Sequence, residues 1–125
     1  MDDNESSAAA TIEAFPHGDY CPNFQRTIEL IGRRWTASIL RALFAGKERF
    51  TDIAQTVPGL SHRLLTERLE ELKEADLITI EPGTKHGTYR LTERGRDLLG
   101  VFQELEDWNA RWYETSGVDT AKLAP

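Results

Sequence analysis

Four side chains able to donate hydrogen bonds fall close together at Ser61, His62, Arg63 and Thr66. Two short hydroxyls, an imidazole and a forked guanidinium at the start of a helix suit the donor and acceptor pattern of base edges in the major groove, and the free N–H groups there suit phosphate. Arg63 is the side chain expected to read a base, with guanine as its partner. Other basic side chains stand further off. Arg49 precedes a short helix and either meets phosphate or pairs with Asp52. Arg68 lies a turn or more beyond Arg63 and is either a phosphate contact or a partner for Glu67 or Glu71. Lys85 and His86 occupy a turn, where they reach backbone or minor groove or simply keep a loop tip soluble. A solvated helix face carries the same residue types, so this pattern by itself leaves both readings open.

Cys21 is the one cysteine, which excludes an internal disulfide framework and a multi-cysteine zinc site. It stands just before Pro22 at a helix start, where a thiolate is favoured, and Arg26 pushes the same way; the alternative is an inert thiol. His17, His62 and His86 lack the i,i+4 spacing of helical metal ligands, so no metal site is expected. The sequence contains no nucleophile elbow, no glycine-rich phosphate loop and no paired carboxylates in an apolar setting. It therefore does not read as an enzyme, and it calls for no cofactor.

Charge is distributed unevenly along the chain. Residues 1–20 carry −5, residues 21–95 carry +2 and residues 96–125 carry −3, within a net charge of −6. The acidity lies at the two ends, and the mildly basic middle permits contact with nucleic acid. Apolar runs such as Ala8-Ala9-Ala10 are far too short to span a bilayer, and the acidic N-terminus does not resemble a secretory signal, so a cytoplasmic protein is expected.

The elements that position these residues follow from periodicity. Phe24, Ile28 and Ile31, with Leu30 beside them, predict an amphipathic helix with Pro22 in its first turn and an end near Gly32. Trp35, Ile39, Leu40, Leu43 and Phe44 predict a second helix over 35–45, stopped by Gly46. After an extended Arg49-Phe50, Thr51 is expected to cap a third helix reaching Val57, and Pro58-Gly59 makes a turn. Ser61 caps a fourth helix whose inner face is Leu64, Leu65, Leu69 and Leu72. Two short strands near 77–81 and 88–91 form a hairpin. Thr92 then caps one long helix running to about Tyr113, with Phe102, Leu105, Trp108 and Trp112 along it.

The fold class expected is mainly α with a small β-hairpin (α+β), a winged helix-turn-helix with a long C-terminal dimerisation helix. Residues 1–20 read as a flexible acidic arm, 21–116 as the DNA-binding and dimerisation domain, and 117–125 as a disordered tail.

Specific segments add to this. Cys21-Pro22, Ile31-Gly32-Arg33-Arg34-Trp35-Thr36, Arg49-Phe50, Pro58-Gly59-Leu60-Ser61, Leu65-Thr66-Glu67-Arg68-Leu69 and Tyr89-Arg90-Leu91-Thr92-Glu93-Arg94-Gly95, in that order, resemble the HxlR family of winged-helix regulators over roughly residues 21–113. The wing is shorter than usual and lacks the family's proline pair, and Arg34 stands where lysine is commoner. The resemblance implies a sequence-specific transcription regulator, usually a repressor, acting as a homodimer on a palindromic operator in double-stranded DNA. It also implies that Cys21 senses oxidants or electrophiles. Phe24, Ile28 and Leu30 of the first helix and Phe102, Leu105, Trp108 and Trp112 of the last would form the dimer interface. A regulator answering to a small-molecule effector, and a winged-helix module that binds proteins rather than DNA, are the alternatives.

Overall fold

The computed structural model describes residues 15–83 and 87–114. The arm at 1–14, the loop at 84–86 and the tail from 115 lie outside the described residues. The chain divides into two compact units, with the boundary between Arg33 and Arg34.

The first unit contains α1 (Pro22–Ile31). Proline at its first position costs no hydrogen bond, because that N–H has no helical partner. Cys21 is the N-cap residue, in extended conformation, and Gly32 ends the helix. No residue of α1 is buried, and Phe24 and Ile28 are exposed.

The second unit begins with α2 (Thr36–Phe44), followed by α3 (Phe50–Thr56) and α4 (His62–Glu74). Its core joins Ile39, Leu40 and Leu43 of α2, Phe50 and Ile53 of α3, and Leu65, Leu69 and Leu72 of α4. Each such side chain contributes about 1.5–3 kcal/mol when fully buried. Gly59 takes φ +86° in the turn between α3 and α4, a conformation open to glycine. Ser61 caps α4 as expected, its hydroxyl oxygen accepting the Leu64 N–H at 3.1 Å. Asp76, in the left-handed region at φ +61°, leads the chain out of α4.

Strands β1 (Ile78–Glu81) and β2 (Thr88–Leu91) pair antiparallel, with Ile78 opposite Leu91 and Ile80 opposite Tyr89. Arg49 bridges to Thr88, and the Tyr89 N–H donates to the Glu48 carbonyl at 2.8 Å, so the segment before α3 extends the hairpin. This contact corrects the expected start of α3. The bridge holds Arg49 extended, Arg49 becomes the N-cap, and Thr51 lies inside the helix.

The C-terminal region is also not the single helix expected. Thr92 caps α5 (Glu93–Asp97), its hydroxyl accepting the Gly95 N–H at 3.0 Å. Leu98 then breaks the run, its N–H bonding to the Gly95 carbonyl three residues back at 3.2 Å. α6 (Leu99–Asn109) follows, and Ala110–Glu114 closes in a wider π turn. Gly95, within α5, packs closely on the chain entering β1, where a Cβ would lie 2.1 Å from the Leu77 carbonyl oxygen. Among the described residues, no helix is long and apolar enough to cross a membrane.

Candidate nucleic-acid interface

The second and third helices of the second unit carry the residues of the candidate interface. α3 and α4 are joined by the Pro58-Gly59 turn, and α4 is followed at once by the hairpin. Burial of Leu65, Leu69 and Leu72 fixes which side of α4 faces inward, leaving Ser61, His62, Arg63, Thr66 and Glu67 in solvent. The starts of α3 and α4 are tied together by an edge-to-face contact of Phe50 with His62, ring centroids 5.2 Å apart. Arg49 precedes Phe50 and Arg63 follows His62, so the contact joins the two helix starts that carry these basic residues.

The polar groups there retain capacity for a ligand. Ser61 uses an oxygen lone pair on Leu64, which leaves its O–H free to donate. Thr66 donates its O–H to the His62 carbonyl at 2.9 Å and keeps its oxygen as an acceptor. The Arg63 side chain is 91% exposed, and its Nε lies 3.5 Å from Glu67 in a surface i,i+4 pair. Such a pair is worth only ~0.3–0.5 kcal/mol and yields readily to a stronger acceptor. Arg49 is exposed, and no ion pair between it and Asp52 occurs among the described residues. At the hairpin, Arg90 pairs with Glu81 at 3.2 Å, crossing the two strands.

Two expectations are corrected. Arg68 is 8% exposed; its Nε–H donates to the Arg34 carbonyl at 3.0 Å and its Nη1–H to Glu71 Oε1 at 2.9 Å. Its planar fork is occupied inside the fold, so of the alternatives open in sequence the pairing with Glu71 is the one realised and the phosphate contact is withdrawn. Phe102, assigned to a dimer interface, is a core residue, 8% exposed and packed edge-to-face on Phe44 at 5.2 Å. The other C-terminal assignments differ from it: Leu105, Trp108 and Trp112 are 52%, 44% and 56% exposed. Leu30 is half-buried. Lys85 and His86 lie outside the described residues.

Sequence reasoning missed Val101, which is 48% exposed and begins the i, i+4, i+7, i+11 series with Leu105, Trp108 and Trp112. It also missed the turn at Arg34-Trp35. Trp35 takes φ +77°, and the Arg34 guanidinium lies over its ring at 5.2 Å. No pattern signal announces a left-handed tryptophan, since that region favours glycine and asparagine.

Cys21 is half-buried at the start of α1. A groove of about 450 Å³ opens beside it, lined by Phe15, Pro16, His17, Gly18, Asp19 and Phe24.

The helix-turn-helix followed by a two-stranded wing defines a DNA-binding transcription regulator. A model of the HxlR-like helix-turn-helix family matches residues 30–117, and the chain belongs to that family. It is 36% identical over 97 residues to the HTH-type transcriptional regulator YodB of Bacillus subtilis (strain 168), covering 75% of this chain and 87% of YodB. YvaP of the same strain is 33% identical over 106 residues, covering 81% of this chain and 96% of YvaP. The crystal structure of quinone-bound YodB superposes with a TM-score of 0.67 at 35% identity, over 74% of this chain and 100% of that one. The redox regulator HypR in its reduced form gives 0.65 at 26% identity, over 75% and 98% of the two chains. A diamide-treated YodB structure is also similar, with a TM-score of 0.60 at 35% identity, over 75% of this chain and 96% of that one.

Proposed function

We propose that the protein is a homodimeric repressor that reads a palindromic operator in double-stranded DNA through α4 and senses oxidants or electrophiles through Cys21. The observation that carries the DNA reading is the N-terminus of α4, where Arg63 stands 91% exposed beside the exposed Ser61 and His62. In this reading Arg63 meets a base edge, while Ser61, His62 and Thr66 contact neighbouring bases and phosphates. Arg49 meets phosphate at the root of the hairpin, and Lys85 and His86 extend the contact from the wing loop.

The dimer reading rests on surplus apolar surface. Val101, Leu105, Trp108 and Trp112 in the second unit, and Phe24 and Ile28 in the first, are all exposed in the single chain. A two-fold mate covers such surface and carries a second α4 to a half-site one helical turn away, ~34 Å, or a multiple of it.

The groove beside Cys21, with Phe15, Pro16 and Phe24 in its lining, suits an apolar ring electrophile, and the quinone-bound and diamide-treated structures of YodB support the same chemistry here. A quinone adds at Sγ, forming a C–S bond; the thiol proton goes to one quinone oxygen and the hydrogen of the attacked ring carbon shifts to the other, leaving a hydroquinone thioether on Cys21. Diamide instead removes two electrons from two thiols. With one cysteine per chain, the resulting disulfide joins Cys21 to a second chain or to a small thiol.

The test is a DNA titration by fluorescence anisotropy before and after diamide or a quinone, on the parent and on Cys21→Ser. The parent should lose affinity on treatment and the serine variant should not. A serine variant that responds like the parent removes Cys21 from the account and leaves the DNA reading untouched. Sedimentation equilibrium of the reduced protein should give the mass of two chains.

A further inference from the structure

We infer that Arg68 is a positioning residue that couples the Arg34-Trp35 turn, which leads into α2, to the DNA-reading helix. The inference rests on α4 being that helix.

α2 is preceded by the turn Arg34-Trp35. Trp35 is held at φ +77°, ψ −16°, a conformation a bulky side chain keeps only where its surroundings impose it. Three contacts impose it here. Arg68 of α4 donates Nε–H to the Arg34 carbonyl at 3.0 Å. The Arg34 guanidinium lies over the Trp35 ring at 5.2 Å. The same indole reaches the turn between α3 and α4, where a Cβ on Gly59 would sit 3.5 Å from the Trp35 ring. The Arg34-Trp35 turn is thus clamped by α4 and packed on the turn that opens that helix.

The residue type at 68 fits a linkage better than simple packing. Position 68 belongs to the inward series 65, 68, 69 and 72, whose other members are leucines. Apolar residues fill such a place at least as stably as a buried ion pair does. An arginine there brings what leucine cannot, a rigid fork that holds a carbonyl with one arm and Glu71 Oε1, at 2.9 Å, with the other. A shift of the Arg34-Trp35 turn therefore pulls on α4 five residues from Arg63, and DNA that fixes α4 fixes the turn. Coupling of this kind is reciprocal, so it can be read from the DNA side without any signal.

The test uses the full chain labelled with 5-fluorotryptophan, its Trp35 resonance assigned with Trp35→Phe, and the tightest duplex selected from a random pool. In the parent, duplex binding should shift the Trp35 resonance. In the double variant Arg68→Met with Glu71→Leu, which removes both charges and keeps the volume apolar, the duplex should still bind but leave Trp35 unmoved. Arg68→Lys, which keeps the charge but loses the fork, should behave likewise and serves if the double variant fails to fold. The inference is overturned if Trp35 in the variants moves as in the parent, or if the parent's Trp35 ignores bound DNA. Anisotropy on the same samples separates these results from a failure of the DNA reading, in which the parent binds no duplex and the inference falls with it.

Discussion

Replacing Arg63 with alanine separates DNA reading from folding, because the side chain projects into solvent. Among the described residues its ion-pair partner is Glu67 at 3.5 Å, and the side chain is 91% exposed. Removing a surface pair of this kind should change stability by no more than ~0.5 kcal/mol. A bidentate arginine contact to guanine is worth about 1–3 kcal/mol of discrimination, which is roughly 5- to 150-fold in affinity per half-site. Urea unfolding should therefore superimpose on the parent's while anisotropy reports weakened binding to the operator. The loss should be selective: Arg63→Ala should bind the operator and its single-base variants at one position alike, while still discriminating elsewhere. Uniform loss across sequences, with the salt slope reduced by about one unit, would instead mean that Arg63 meets phosphate. Affinity and preference both unchanged would refute the reasoning.

Gly95→Ala should be strongly destabilising, since its Cβ would lie 2.1 Å from the Leu77 carbonyl oxygen, which also accepts the Thr92 N–H. Overpacking costs typically about 1–3 kcal/mol, and a backbone carbonyl cannot swing aside, so the upper end is expected in urea unfolding despite alanine's better helix propensity. Tyr89 has its pKa raised by burial, with the charge of Glu70 adding to it. A raised native pKa contributes stability that is fully present below about pH 10, the ordinary tyrosine value, and is lost as pH climbs through the native one. Tyr89→Phe should thus flatten the alkaline limb of the stability curve, and an unchanged limb would show that Tyr89 does not contribute to it.

Much of the fold is legible because caps and breakers sit where the periodicity changes. Ser61 and Thr92 accept the N–H groups expected of them, and Pro58-Gly59 turns the chain. What was less legible depends on contacts distant in sequence. Thr51 has the right side chain for a cap, but pairing of Arg49 with Thr88 sets the helix start. Arg63 and Arg68 look alike in a list of cations, yet they lie ~140° apart around an ideal helix. The clue to Arg68 was present in its i+3 place within the series Leu65, Leu69 and Leu72. Phe102 likewise belongs to a different face from Val101, Leu105 and Trp108, and Phe44 across the core decides its role. The wing loop carrying Lys85 and His86 has no apolar pattern from which a geometry follows.

The most direct measurement is anisotropy of the reduced protein with DNA from upstream of its own gene, against unrelated DNA of equal length, at several salt concentrations. The account predicts tighter binding to the upstream fragment by ~10³ or more, with both affinities falling as salt rises. Absence of salt-dependent binding to either fragment would contradict it and favour a winged-helix module whose partner is a protein.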